Sequence, residues 1–182
     1  MRTRLFQLAV IAALSSKAFA TETITLEPDG SSYHFVSHYS VDVDAPASVV
    51  WKHLIDIGSW MYEFDLSLES GTPGQAGEVR RLYAGQEFFV ELTKVVPDQL
   101  LVFANLPSSF NGELSTGVAV ITLTEVAGAT TVQLIMSRRY SSESAEPNPQ
   151  RKMRESSEFR ARTRAMWQDR FLGRLKELSE NG

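Results

Sequence analysis

Between residues 65 and 140 the chain carries six strand-like runs and no helical pattern. DLSLES precedes GTPGQAG, EVRRLY precedes AGQ, EFFVELTKVV precedes PDQ, and LLVFANL leads to PSSFNGELS; GVAVITLTEV and TTVQLIMSRRY then flank AGA. Parallel neighbours need a crossover, usually a helix, so a series without helices predicts short antiparallel hairpins. A sheet of this kind has one apolar face to cover, and only two helical regions are available to cover it.

The first region follows YHFVSHYSVDV, where Tyr33, Phe35, Tyr39, Val41 and Val43 alternate with His34, His38, Asp42 and Asp44, a half-buried strand. Asp44-Ala45-Pro46 stops that strand, and a proline there suits a helix start. Val49, Val50, His53, Leu54 and Ile57 then share a stripe at helical spacing. A helix of about ten residues is marginal alone, so this one is expected to close one end of the sheet. Gly58 is expected to end it, and SWMYEF is expected to form a second turn carrying Trp60, Tyr62 and Phe64. The second region, residues 151–179, follows a Ser- and Pro-rich loop and has the longest helical pattern in the chain. The expected architecture is α+β: a curved antiparallel sheet of about seven strands, two short helices, and a long C-terminal helix across the concave face.

At 43% hydrophobic residues, the chain of 182 has enough apolar material for one sizeable core. Its first twenty residues fit a different role. MRTR is positive, LFQLAVIAAL is an apolar run too short to span a bilayer, and Ala18-Phe19-Ala20 has the small-x-small form of a cleavage site. Residues 1–20 are therefore expected to be a signal peptide, residues 21–32 a partly ordered lead-in, and residues 33–180 the folded domain. A periplasmic or secreted location follows, with no stable membrane insertion once the signal is removed. Losing Arg2, Arg4 and Lys17 takes the formal charge from −4 to −7, which disfavours nucleic acid as a partner. With no cysteine, thiolate metal sites, cysteine nucleophiles and disulfides are excluded.

The order of motifs resembles the START/Bet v 1-like superfamily, also called SRPBCC or polyketide cyclase/dehydrase-like, which has a helix-grip fold. VDVDAPASVVWKHLIDIGSW resembles its first strand and helix. Gly77 opening a strand, Val96-Pro97 ending another, Gly128-x-Thr130 between the last two, and WQDRFLGRLKEL in the terminal helix add to the likeness, which covers residues 33–178. Met61-Tyr62-Glu63-Phe64 departs from the proline-containing turn that members often have after the Trp60 position, so that wall is not carried over. The resemblance implies a deep, mostly apolar cavity between sheet and terminal helix. It implies no universal catalytic set, because members include carriers, receptors, cyclases and co-chaperones.

On the terminal helix, Phe159, Thr163, Met166, Trp167, Phe171, Leu175 and Leu178 fall on one arc at 100° per residue. Arg160, Arg170 and Arg174 fall inside it. Two readings stand for these arginines: anchors for an anionic headgroup, or snorkelling side chains paired with the acidic sheet. Residues 21–140 hold 15 acidic and 6 basic side chains, so such partners abound. Trp60, Tyr62, Phe103 and Phe110 complete the candidate lining, Phe110 in a 106–114 loop that gates the entrance or is simply a hairpin. Along the last strand Val132, Leu134, Met136, Arg138 and Tyr140 share one face and Thr131, Gln133, Ile135, Ser137 and Arg139 the other; register decides which points inward.

His34 and His38 lie ~13 Å apart along a strand, too far to share an ion unaided, so no metal or other cofactor is expected. The preferred expectation is a non-enzymatic, exported binder or carrier of a hydrophobic small molecule, lipid-like or aromatic. One alternative is a cyclase/dehydrase- or isomerase-like enzyme using His53, Tyr62 or Glu91 for proton transfer. The other is an envelope protein-interaction module with an unknown protein partner.

Overall fold

A computed structural model describes residues 20–26, 32–83, 85–110, 113–142 and 149–182. The expected signal segment, apart from Ala20, lies outside the described residues. Eight strands form one antiparallel sheet: β1 (Ala20–Leu26), β2 (Ser32–Val43), β3 (Asp65–Ser70), β4 (Val79–Tyr83), β5 (Glu87–Val96), β6 (Leu100–Phe110), β7 (Glu113–Val126) and β8 (Ala129–Ser142). Their order is β1-β2-β8-β7-β6-β5-β4-β3. Strands β3 to β8 are a plain meander, as the helix-free stretch requires, and β2 joins it beside β8. The eighth strand is β1: residues 21–26, expected as part of a lead-in, pair with Tyr33–His38 of β2, and Ala20 pairs with Tyr39. Register shifts in β3, β5 and β6 mark bulges that bend the sheet.

Between β2 and β3 come α1 (Ala47–Ile55) and α2 (Ile57–Trp60), the break falling at Asp56 rather than at Gly58. Pro46 has no side chain able to cap α1. Glu125 of β7 serves instead, accepting from the Ala47 N–H at 2.8 Å. The helix buries Ala47, Val50, Trp51 and Leu54, each buried aliphatic side chain contributing about 1.5–3 kcal/mol. Trp60 Nε1 donates to the Leu54 carbonyl at 3.0 Å and locks α2 onto α1.

The C-terminal helical region differs from a single rod. A first helix, α3 (Pro149–Glu155), is separated by Ser156 from α4 (Ser157–Arg164). Ser156 caps α4 by accepting from the Phe159 N–H at 3.1 Å. From α4 the helix runs on through a π-helical stretch, Ala165–Leu172, into α5 (Gly173–Asn181). Buried residues fall into two clusters. A large one joins α1, α2, the sheet centre and Phe171, Leu172 and Leu175; a small aromatic one joins Tyr33, Phe35 and Tyr140.

Candidate functional site

The inner face of the sheet follows from alternation once register is known. Phe88, Val90 and Leu92 of β5, Leu101 and Phe103 of β6, and Val132, Leu134, Met136, Arg138 and Tyr140 of β8 point inward. α2 and the π-helical stretch face them, and a chamber of about 420 Å³ stays open in between. Leu82, Phe88, Val90, Phe103, Ile121, Leu134 and Met136 form its sheet wall; Ile57, Trp60, Met61 and Phe64 close one end; Phe159, Met166 and Trp167 form the roof. The polar side chains on its walls are few: Gln86, Asn105 and Arg138. Beneath α4 a second cavity of about 380 Å³ shares Met136, Arg138, Phe159, Met166 and Trp167 with the chamber. A third, of about 240 Å³, lies towards α3 and the start of β7 and also touches Arg138.

Of the expected lining residues, Trp60, Phe103 and Trp167 line the chamber, and Thr163 and Arg170 line the second cavity. Phe171 is fully buried instead, its ring against those of Trp60, Tyr62, Phe64 and Trp167 with centroids 5.2–6.5 Å away. It packs behind the roof and does not line it. Tyr62 covers Phe171 from outside and is half exposed. Arg160 donates to the Glu155 carbonyl at 3.0 Å, and Arg174 pairs with Glu177 at 2.7 Å along the helix, so neither reaches the chamber. Arg170 pairs with Glu63 at the rim. Residues 106–110 and 113–114 are strand rather than loop: β6 continues to Phe110, which pairs with Glu113, and the Ser108 and Ser115 hydroxyls lie 3.0 Å apart across the two strands. The Phe110 side chain lies outside the described residues.

The residues named for proton transfer stand elsewhere. Gly182 lies against the His53 ring, Tyr62 is outside the roof, and Glu91 is on the opposite face of β5 from Val90. Among the described residues no group of three or more His, Asp or Glu could hold a metal ion, and no helix is long and apolar enough to cross a membrane.

Two features escaped the sequence reading. Arg138 is an inward cation on the central strand, visible only as one member of an alternating set. The other is a buried cluster at the third cavity. Arg154 donates to both the Tyr33 hydroxyl and Glu113, Tyr33 donates to Glu113 at 3.0 Å, and the Arg154 guanidinium lies 3.8 Å over the Tyr140 ring. Burial pushes the Tyr33 hydroxyl well above the usual tyrosine range, so it stays protonated and remains a donor.

No protein-family model and no curated protein matches the sequence. Solved structures do match in shape. An uncharacterized protein from Rhizobium leguminosarum has a TM-score of 0.58 over 84% of this chain and 98% of its own, at 13% identity. Ara h 8.0201, of the Bet v 1 family, has a TM-score of 0.57 over 82% of this chain and 99% of its own, at 9% identity. DynU16, from the dynemicin biosynthetic locus, is 27% identical with a TM-score of 0.52 over 80% of this chain; the match spans 47% of DynU16. Sheet order, helix placement and these likenesses together identify the fold as the α+β fold of Bet v 1-like proteins, an open antiparallel sheet gripping a long C-terminal helix.

Proposed function

We propose that the chain binds a small apolar molecule in the chamber between the sheet and the π-helical roof, and that it works as an exported carrier. The observation that carries this reading is the chamber itself: about 420 Å³ of space walled mostly by aromatic and aliphatic side chains, with Gln86, Asn105 and Arg138 the polar ones. Its volume is in the range of small-molecule sites, ~300–1,000 Å³. Removing apolar ligand surface from water supplies the driving force, about 25 cal/mol per Å². Export rests on the basic start, short apolar run and Ala-x-Ala end of residues 1–20.

Ala119 is the place to test it. It lies on the inner face of β7, paired with Phe103 on one side and Met136 on the other, and lines the chamber. A tryptophan there projects into the open space. Titration with neutral N-phenyl-1-naphthylamine is expected to saturate at one probe per chain, and Ala119→Trp to weaken binding at least ~10-fold, the effect of losing ~1.4 kcal/mol. Overpacking a filled core costs about 1–3 kcal/mol. An unchanged Tm in the same variant therefore reports that the space was open. Probe affinity that Ala119→Trp leaves untouched would remove the chamber as the binding site. Native mass spectrometry of the protein from its own host identifies the occupant, and a mass beginning at Thr21 establishes cleavage.

A further inference from the structure

We propose that Arg138 anchors the carboxylate of an apolar monocarboxylic acid whose body fills the chamber, an inference that rests on the chamber being a binding site. Arg138 stands on the inner face of β8 between Met136 and Tyr140, where the chamber and the other two cavities meet. Among the described residues its guanidinium has neither a hydrogen bond nor an ion pair. An arginine keeps its proton. Arg138 is partly buried, and an apolar ligand filling the chamber would strip water from it at a cost unless the ligand brought an opposite charge.

The described residues do not provide it. Across the walls of the three cavities the acidic residues are Glu87 and Glu113, both at the third. Glu113 is held by Arg154 and Tyr33, and Glu87 pairs with Arg81 at 3.1 Å. Arg154 thus occupies Glu113, a carboxylate that lines the third cavity together with Arg138. Arg138 and Arg154 both line the third cavity, and among the described residues only Arg154 of the two has an internal partner.

The strand register shapes the seat. Asn105, Gly117 and Arg138 are paired neighbours across β6, β7 and β8. A Cβ on Gly117 would lie 2.9 Å from Arg138 Cγ, so the bare glycine makes room for the arginine stem over β7. Asn105 sits on the far side of that gap. Gln86 lines both the chamber and the third cavity. Both amides have N–H donors to offer an anion. One fixed positive charge with a planar fork matches a monoanionic carboxylate better than a dianionic phosphate.

The test compares matched pairs, dodecanoate with dodecanol and 2-naphthoate with 2-naphthol, by calorimetry on wild type and Arg138→Met. In whichever pair binds, wild type is expected to prefer the acid by about tenfold or more, the size of a charge-assisted hydrogen bond. Arg138→Met is expected to bring the acid down to the affinity of the neutral partner while leaving that partner's affinity unchanged. Arg138→Lys keeps the charge without the fork and is expected to fall between. Acid and neutral probes binding wild type equally would overturn the anchor and leave the chamber standing. Neither pair binding at all would overturn both. Should Arg138→Met fail to fold, Arg138→Gln replaces it, and the wild-type ratio decides by itself.

Discussion

Arg138 and Arg154 both carry their charge towards the interior, and their neighbours separate their roles. Arg154 is buried with Glu113, Tyr33 and Tyr140 around it, a closed polar cluster with a structural task. Removing one member of a buried ion pair strands the other, at a cost of about 3–5 kcal/mol. Arg154→Met is therefore expected to lower urea-unfolding stability by about that amount, and adding Glu113→Leu is expected to restore most of it. A double variant as unstable as the single one would show that the pair contributes more than mutual neutralisation. A smaller effect belongs to Ala127. With Gly128 it makes the two-residue β7–β8 turn, and both residues have positive φ, 54° and 85°. That is the type I′ geometry, in which Asn-Gly is preferred and alanine is strained by roughly 1 kcal/mol. Ala127→Asn should raise Tm by a few degrees, as followed by circular dichroism; no change or a fall would mean that the strain is relieved elsewhere.

The helical elements were the hardest to place from sequence, for a geometrical reason. A projection at 100° per residue assumes α winding throughout, but Ser156 interrupts the region and Ala165–Leu172 winds as a π-helix. Bonds from i to i+5 take more residues per turn, so positions beyond the π stretch drift off the projected arc. Trp167 stays on the inside, whereas Arg174 ends on the outer surface beside Glu177. The same winding sets Gln168, Lys176 and Glu180 along β2 where β1 no longer covers it. Gln168 accepts from the Ser40 N–H at 3.2 Å and donates to its carbonyl at 2.6 Å; Lys176 donates to the Asp42 carbonyl at 2.6 Å; Glu180 accepts from the Asp44 N–H at 2.7 Å. No sequence period announces such an edge clasp, since it depends on backbone groups of a distant strand. The meander was legible because it needs only turns and alternation, yet its inward face was not, since that requires register. The clasp has a pH signature. The Asp44 N–H, with Lys176 adding to it, holds the Glu180 carboxyl below its usual range against the opposing effect of burial. Its contribution is complete above the ordinary value of 4.5 and fades as pH falls through the lower folded one. Glu180→Gln should therefore be less stable than wild type at neutral pH, with the gap closing on acidification. A gap constant from pH 7 to pH 3 would place the Glu180 effect outside its charge.

Across the whole molecule, the large buried cluster walls the chamber, and the small aromatic cluster adjoins it at Phe159, so the cavity is space within the core that the large cluster does not fill. Such a sheet stays open, and both of its edges need protection from strand pairing with another chain. At one edge β3 has only six residues, with Asp65 and Glu69 among them. At the other, β2 is long and apolar on its inner face, and β1 together with the helix clasp covers it from Tyr33 to Asp44. Strand β1 is faint in the sequence because TETITL has only Ile24 and Leu26 as large apolar residues; the signal for it is its run of β-branched threonines. It is tied to the roof as well, since Arg164 of α4 donates to Glu22 at 2.7 Å. Relative to a chain starting at Thr21, one starting at Ser32 would thus expose the backbone groups of β2 from Tyr33 to His38 and lose this tie. Compared with a chain starting at Thr21, it should sediment as progressively larger species with rising concentration, and charged substitutions on the exposed face of β2 should suppress that association. Identical sedimentation and equal Tm for the two chains would mean that the clasp alone protects this edge, leaving β1 an ornament to the sheet rather than its guard.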